Sequence, residues 1–153
     1  MKILDILDKR MIVSHLTSSD KVGVLRELVR VLAQVEKEVD GEGMLEILLE
    51  RESLGSTGIG EGVAIPHGKS KDVKKLLASF GRSLPGIDFQ SMDGKPAHLF
   101  FLLVAPENSA GIHLKALARI SRLMKDQTFR KRLMEANSAE AIYALFSEGD
   151  EKY

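Results

Sequence analysis

The chain has 153 residues, 44% of them hydrophobic and 29% charged, enough for one domain built on a single apolar core. Lys plus Arg and Asp plus Glu both total 22, and this balance argues against nucleic acid as a main partner, because such domains carry a basic surplus. The absence of cysteine excludes disulfides, zinc–thiolate sites and thiol catalysis.

The opening MKILDILDKR has an apolar rhythm, but Asp5 and Asp8 interrupt it, so it makes no signal-peptide core. No apolar run of about 18 residues occurs anywhere, and a cytoplasmic protein without membrane insertion is expected. Residues 11–16 suggest a first strand. Ser18, Ser19 and Asp20 offer N-caps for a helix running to about Val39, with Val22, Leu25, Leu28, Val29, Leu32 and Val35 as its buried stripe. Asp40 to Gly43 should break it. A second helix, with Met44, Leu45, Ile47 and Leu48 inward, should end near Arg51.

A glycine-rich loop follows, and Val63-Ala64-Ile65 reads as a buried strand ending at Pro66 and His67. Residues 77–84 and 87–89 look extended, divided by a Pro85-Gly86 turn. Leu99 to Val104, closed by Pro106, suits a central strand. Beyond it the pattern is helical. Ile112, Leu114, Leu117, Ile120, Leu123 and Met124 mark one helix, Phe129, Leu133 and Met134 a second, and Ala141, Ile142, Leu145 and Phe146 a third after Ser138. Strands interspersed with helices predict a single α/β domain over residues 1–153, a mixed parallel and antiparallel sheet flanked by helices.

The segment GEGVAIPHG, Gly60 to Gly68, carries the functional signal. Proline fixes the backbone just before His67, and an imidazole that titrates near neutrality can carry a covalent intermediate. The plainer alternative is a histidine whose ring merely bonds to neighbouring backbone. His113 opens a helix after Pro106 and Gly111, where backbone N–H groups suit a phosphate and disfavour an imidazolium. Taken alone, a surface histidine in a first turn is the commoner reading. Arg51 precedes the flexible Gly55-Ser56-Thr57-Gly58 stretch, and its guanidinium matches phosphate oxygens in two-toothed fashion, although a helix-end cation is often only solvated.

His15 and His98 are read as structural. The four histidines lack metal-ligand spacing, and no HExxH or carboxylate cluster accompanies them, so no metal is expected. Residues 58–62 lack the GxGxxG spacing. Gly68-Lys69-Ser70 imitates the end of a phosphate-binding loop, but Gly62 precedes Gly68 by one residue too many. The cationic clusters Lys69, Lys71, Lys74, Lys75 and Arg130 to Arg132 are taken as solvated faces.

With Arg51, the glycine loop and two histidines in view, the chain resembles the enzyme IIA proteins of the phosphoenolpyruvate-dependent phosphotransferase system. The resemblance is to the fructose/mannitol class, which includes the nitrogen-regulatory type. It covers essentially the whole chain and is carried by RESLGSTGIGEGVAIPHG and by the later HLKALARISRLMKDQTFRKRL. It implies that His67 accepts the phosphoryl group and that Arg51, 16 positions earlier, contacts it. It also implies that His113 is the second active-site histidine, supplying an N–H donor. Gly60, Gly62 and Gly68 are expected to bring backbone close to the phosphoryl group. One departure is His98, which stands where the family often has an acid.

The implied activity is phosphocarriage without metal or organic cofactor. The donor would be HPr or a relative, docking on an apolar patch around His67. Onward transfer would go to an enzyme IIB, or the phosphoryl would act as a switch on transporters or kinases. The 153 residues show no IIB or membrane IIC segment, which favours the regulatory type. A sugar-specific IIA is the alternative. A non-catalytic α/β binding domain is a third reading, which would require the motif match to be coincidence.

Overall fold

The structure is a computed structural model that describes residues 1–152, with the side chain of Ala110 outside the description. Six strands form one sheet: β1 (Ile12–Val13), β2 (Gly58–Gly60), β3 (Val63–Ala64), β4 (His67–Ser70), β5 (Leu77–Ile87) and β6 (Ala97–Pro106). Five helices cover it: α1 (Lys21–Val35), α2 (Gly41–Ser53), α3 (Ala110–Met124), α4 (Gln127–Glu135) and α5 (Ala139–Lys152). The order is β1-β5-β6-β3-β2, with β4 also paired to β6. β6 runs antiparallel to β5 and parallel to β3 and β4, which makes the sheet mixed.

Alternation along β5 sends neighbouring side chains to opposite faces. Ser79 donates to the Leu28 carbonyl of α1 (3.0 Å), while Phe80 packs edge-on against Phe146 of α5 (5.1 Å between centroids). Phe101 and Phe129 also meet Phe146, so one aromatic side chain gathers the core on that face. Helices therefore lie on both sides of the sheet. β6, apolar from Leu99 to Ala105 and fully buried there, is the central strand that its composition predicts.

Two buried polar groups tie distant segments together. Asp150 accepts from the backbone N–H groups of Ile3 (2.6 Å) and Leu4 (3.0 Å) and from Arg119 (3.1 Å), which fastens the N-terminal turn to α5 and α3. Arg82 on β5 is 1% exposed and faces backbone carbonyls: its Nε donates to Ser14 (3.0 Å), and its Nη1 donates to Leu133 (2.9 Å) and Ala136 (2.5 Å). Burial holds the pKa of the guanidinium below its ordinary value. A cation at the last carbonyls of α4 is the favourable end of the helix dipole.

Several boundaries differ from the sequence expectation. α1 ends at Val35, before the expected Val39, because Glu36 turns extended; Asp20 caps its start by accepting from Gly23 N–H (2.8 Å). Val22 is 39% exposed and lies off the buried stripe. Residues 77–87 form one strand through Pro85 and Gly86, since Gly86 takes a φ of +85° and the ladder shifts register there. The glycine loop contains a strand of its own, β2. The run from Val63 to His67 is broken, so His67 opens β4 instead of ending a strand.

Candidate functional site

β4 and α3 bring two imidazoles together. His67 pairs in register with Leu103, which lies two residues from Phe101 and so faces the same side of the sheet. On that side His113, in the first turn of α3, meets it edge to face with centroids 5.5 Å apart. His67 is half-buried, and its Nδ1 lies 2.9 Å from the Ile65 carbonyl. A carbonyl only accepts, so Nδ1 carries the hydrogen and the lone pair of the neutral ring resides on Nε2. This is the nitrogen that can act as a nucleophile.

His113 is 6% exposed, and both of its ring nitrogens lack hydrogen-bond partners among the described residues. Burial first, then the neighbouring His67 and Lys69, hold its pKa below the ordinary value of about 6.5. The ring is therefore neutral at pH 7, with one N–H to give and one lone pair. Leaving such a group unsatisfied costs about 1–3 kcal/mol, a cost removed when a ligand with acceptor oxygens enters.

The depressed value also links proton binding to stability. As pH falls below about 6.5 the unfolded chain takes up the His113 proton before the folded chain does, so stability declines towards acid. Replacing His113 by Gln should flatten the dependence of the urea midpoint on pH between about 5 and 7. An unchanged slope would contradict the burial of a neutral ring.

Arg51 comes from the opposite layer. α2 lies against β4, where a side chain at Gly68 would collide with Ile47 (2.9 Å to Cγ2), so Gly68 permits the close packing of helix on strand. Arg51 stands one turn beyond Ile47 on the same helix face, half-buried, with Nη1 donating to the Gly55 carbonyl (2.9 Å). The loop it touches runs directly beside the His67 segment, since Ile65 N–H donates to the Thr57 carbonyl (3.0 Å).

The structure does not bring Gly60 and Gly62 to His67. Val63 pairs with Leu99 and His67 with Leu103, a separation of roughly 13 Å along β6. Gly60, Glu61 and Gly62 all take positive φ and form the tight turn between β2 and β3. The backbone of the loop that bonds to the His67 segment is that of Thr57, through Ile65. His98 closes the far end of that region, donating through Nδ1 to the Ser83 carbonyl (3.0 Å) beside Gly86. His15 is exposed, with Nδ1 3.2 Å from Ser14 Oγ.

Three polar residues near the site lay outside the sequence reading: Lys21, Glu52 and Thr57. Glu52 is 8% exposed, pairs with Lys21 Nζ (2.8 Å), and accepts from the Thr57 N–H (3.1 Å) and hydroxyl. A carboxylate on a helix end carries no one-dimensional sign of burial. Ile112 and Leu114 were expected inside but are 57% and 67% exposed. They flank His113 in sequence, and Leu54, 82% exposed, follows Arg51 in the loop beyond α2.

Among the described residues no group of three or more His, Asp or Glu side chains converges as a metal centre would require. No helix among them is long and apolar enough to cross a membrane.

Comparison with known proteins identifies the family of the chain. The nitrogen regulatory protein of Bradyrhizobium diazoefficiens is 43% identical over 147 residues, covering 96% of this chain and 95% of that protein. The fructose-specific EIIABC component of Bacillus subtilis is 43% identical over 150 residues; this chain spans 24% of that much longer protein. The crystal structure of the nitrogen regulatory protein IIA-Ntr from Neisseria meningitidis superposes with a TM-score of 0.87 at 36% identity, covering 93% of this chain and 97% of that one. The family described as phosphoenolpyruvate-dependent sugar phosphotransferase system, EIIA 2, matches residues 5–149. With a mixed sheet between two helical layers and paired histidines on one of its faces, the chain belongs to this EIIA family.

Proposed function

We propose that this protein is a phosphoryl carrier whose acceptor is Nε2 of His67. The observation that carries the reading is the pair of imidazoles 5.5 Å apart, one with its free lone pair on Nε2 and the other neutral, buried and without partners. The lone pair of Nε2 attacks the phosphorus of a phosphohistidine on an HPr-like donor. The new P–N bond forms as the donor's P–N bond breaks, and the donor imidazole keeps that electron pair. Positive charge developing on the His67 ring is met by the Ile65 carbonyl at Nδ1–H. His113 offers an N–H to a phosphoryl oxygen, and Arg51, released from Gly55, neutralises the oxygen charge. Such transfer rests on alignment and electrostatics more than on covalent chemistry by the protein. Ile112, Leu114 and Leu54 supply apolar surface on which the donor docks and from which it excludes water.

Incubation with phosphoenolpyruvate, enzyme I and HPr should add one acid-labile, base-stable phosphoryl group. Arg51→Ala should slow the addition by about 10- to 100-fold, the worth of one lost charge-assisted hydrogen bond of about 1.5–3 kcal/mol. An unaltered rate in that variant removes Arg51 from the mechanism. A wild-type protein that takes no phosphoryl group refutes the carrier reading.

The use made of the phosphoryl group is regulatory. Similarity to a nitrogen regulatory protein over nearly its whole length, and to the solved IIA-Ntr, supports a switch in which about −1.5 to −2 charge alters the partner surface. The equal identity to a fructose-specific component supports the second reading, onward transfer to an enzyme IIB. Affinity capture with His67→Ala and His67→Asp separates the two. Different captured transporters or kinases support switching, whereas identical sets together with phosphoryl transfer to a IIB support sugar uptake.

A further inference from the structure

Glu52 is bonded at both ends of the loop that joins Arg51 to the His67 segment, through its backbone carbonyl at the helix end and through its buried carboxylate at the far end. On its helix side Glu52 directly follows Arg51, and its carbonyl accepts from the Gly55 N–H (3.1 Å), while the Gly55 carbonyl receives the Arg51 guanidinium. On the far side its carboxylate holds both the N–H and the hydroxyl of Thr57. The Thr57 carbonyl receives Ile65 N–H at 3.0 Å, and the Ile65 carbonyl receives His67 Nδ1–H at 2.9 Å. Lys21, at the first turn of α1, closes the assembly with an ion pair of 2.8 Å to Glu52. Its Nζ also stands 4.6 Å from the centre of the Phe89 ring, itself fully buried. A path of hydrogen bonds thus runs from the buried carboxylate through Thr57 and Ile65 to the tautomer-setting acceptor of the nucleophile, while the backbone carbonyl of the same residue holds Gly55, the acceptor of the arginine.

Buried ion pairs add little net stability compared with apolar residues of the same size, and their best-attested use is to impose one geometry among several. Here that geometry is the loop between the two site residues. We propose that Lys21, Glu52 and Thr57 are positioning residues that set the His67 tautomer and the Arg51 placement together. The functional part of this inference rests on the carrier reading; the tautomer part stands without it. When the Glu52–Thr57 contact loosens, the Thr57–Ile65 bond shifts, Nδ1–H loses its fixed acceptor, and the ring samples the Nε2–H form, which has no lone pair at the attacking atom.

The test uses Glu52→Gln and Thr57→Val, both close in shape to the residues they replace. Ser79→Ala, which removes a buried hydrogen bond to α1 remote from the site, is the stability control. Long-range proton–nitrogen NMR of the unphosphorylated proteins reads the His67 tautomer. Transfer from phosphorylated HPr over a range of donor concentrations reads kcat and KM. The wild type and Ser79→Ala should show His67 as a single Nδ1–H species. The two positioning variants should show both tautomers, with kcat lowered about tenfold or more and KM for the donor unchanged. Should Glu52→Gln fail to fold, Thr57→Val decides. Wild-type tautomer and kcat in the folded variants overturn the proposal, as does an equal change in Ser79→Ala. If the wild type accepts no phosphoryl group, the carrier reading falls, and the NMR result alone still decides whether Glu52 and Thr57 position the ring.

Discussion

His67→Gln is expected to fold normally and to lose phosphoryl acceptance by more than about a thousand-fold, because no nucleophilic nitrogen remains at that position. The amide of glutamine can still donate to the Ile65 carbonyl, so the backbone acceptor that now receives Nδ1–H stays satisfied. Half-burial of His67 keeps the stability cost within about 1 kcal/mol. Intact-protein mass spectrometry under alkaline conditions, after incubation with enzyme I, HPr and phosphoenolpyruvate, makes the measurement. The same experiment on His113→Leu separates the two rings, since loss of the N–H donor slows transfer but leaves the acceptor in place. Phosphorylation of His67→Gln at the wild-type rate would place the acceptor elsewhere.

Arg82→Met is expected to destabilise the fold by about 3 kcal/mol or more, from the loss of charge-assisted bonds and the exposure of unpaired carbonyls. Methionine fills much of the same volume but offers nothing to Ser14, Leu133 and Ala136, whose carbonyls the guanidinium now satisfies inside the protein. The C-terminus of α4 would then be closed without its cation, and the connection between β1 and β5 would lose its bridge. Urea denaturation read by circular dichroism checks the magnitude. A loss under about 1 kcal/mol would mean that solvent reaches those carbonyls in the variant. Arg82 bonds to Ser14, Leu133 and Ala136, none of them among the proposed site residues, and its replacement should therefore act on stability before it acts on phosphoryl transfer.

Much of the architecture was legible in one dimension. The all-apolar run around Leu99 to Val104, closed by Pro106, suited a central strand buried on both faces, and β6 is that strand. The spacing of Leu25, Leu28, Val29 and Leu32 marked a helix face, and all four are buried in α1. Ile112 and Leu114 misled because helical spacing says which residues share a stripe, not whether anything covers it. In the first turns of α3 it is His113 that is buried, and the side chains on either side of it remain exposed. Pro85-Gly86 misled in the opposite direction: a turn signal proved to be a kink inside a continuous strand, because pairing with β6 resumes at Ile87.

Local chemistry in the sequence singled out His67, since proline and glycine beside a histidine constrain the backbone wherever they occur, while Arg51 and His113 were joined to it by the family resemblance of the two motifs. What required the folded chain was which neighbours those residues acquire. Parallel pairing of β4 with β6 sets His67 on the face where α3 delivers His113, and the same register carries Gly60 and Gly62 away from it. The burial of Glu52, and with it the link between Arg51 and His67, arises only when α1 brings Lys21 across the end of α2. Dihedral preferences act between adjacent residues and are written in the chain; desolvation and ion pairing act between segments far apart in sequence, so packing alone decides them.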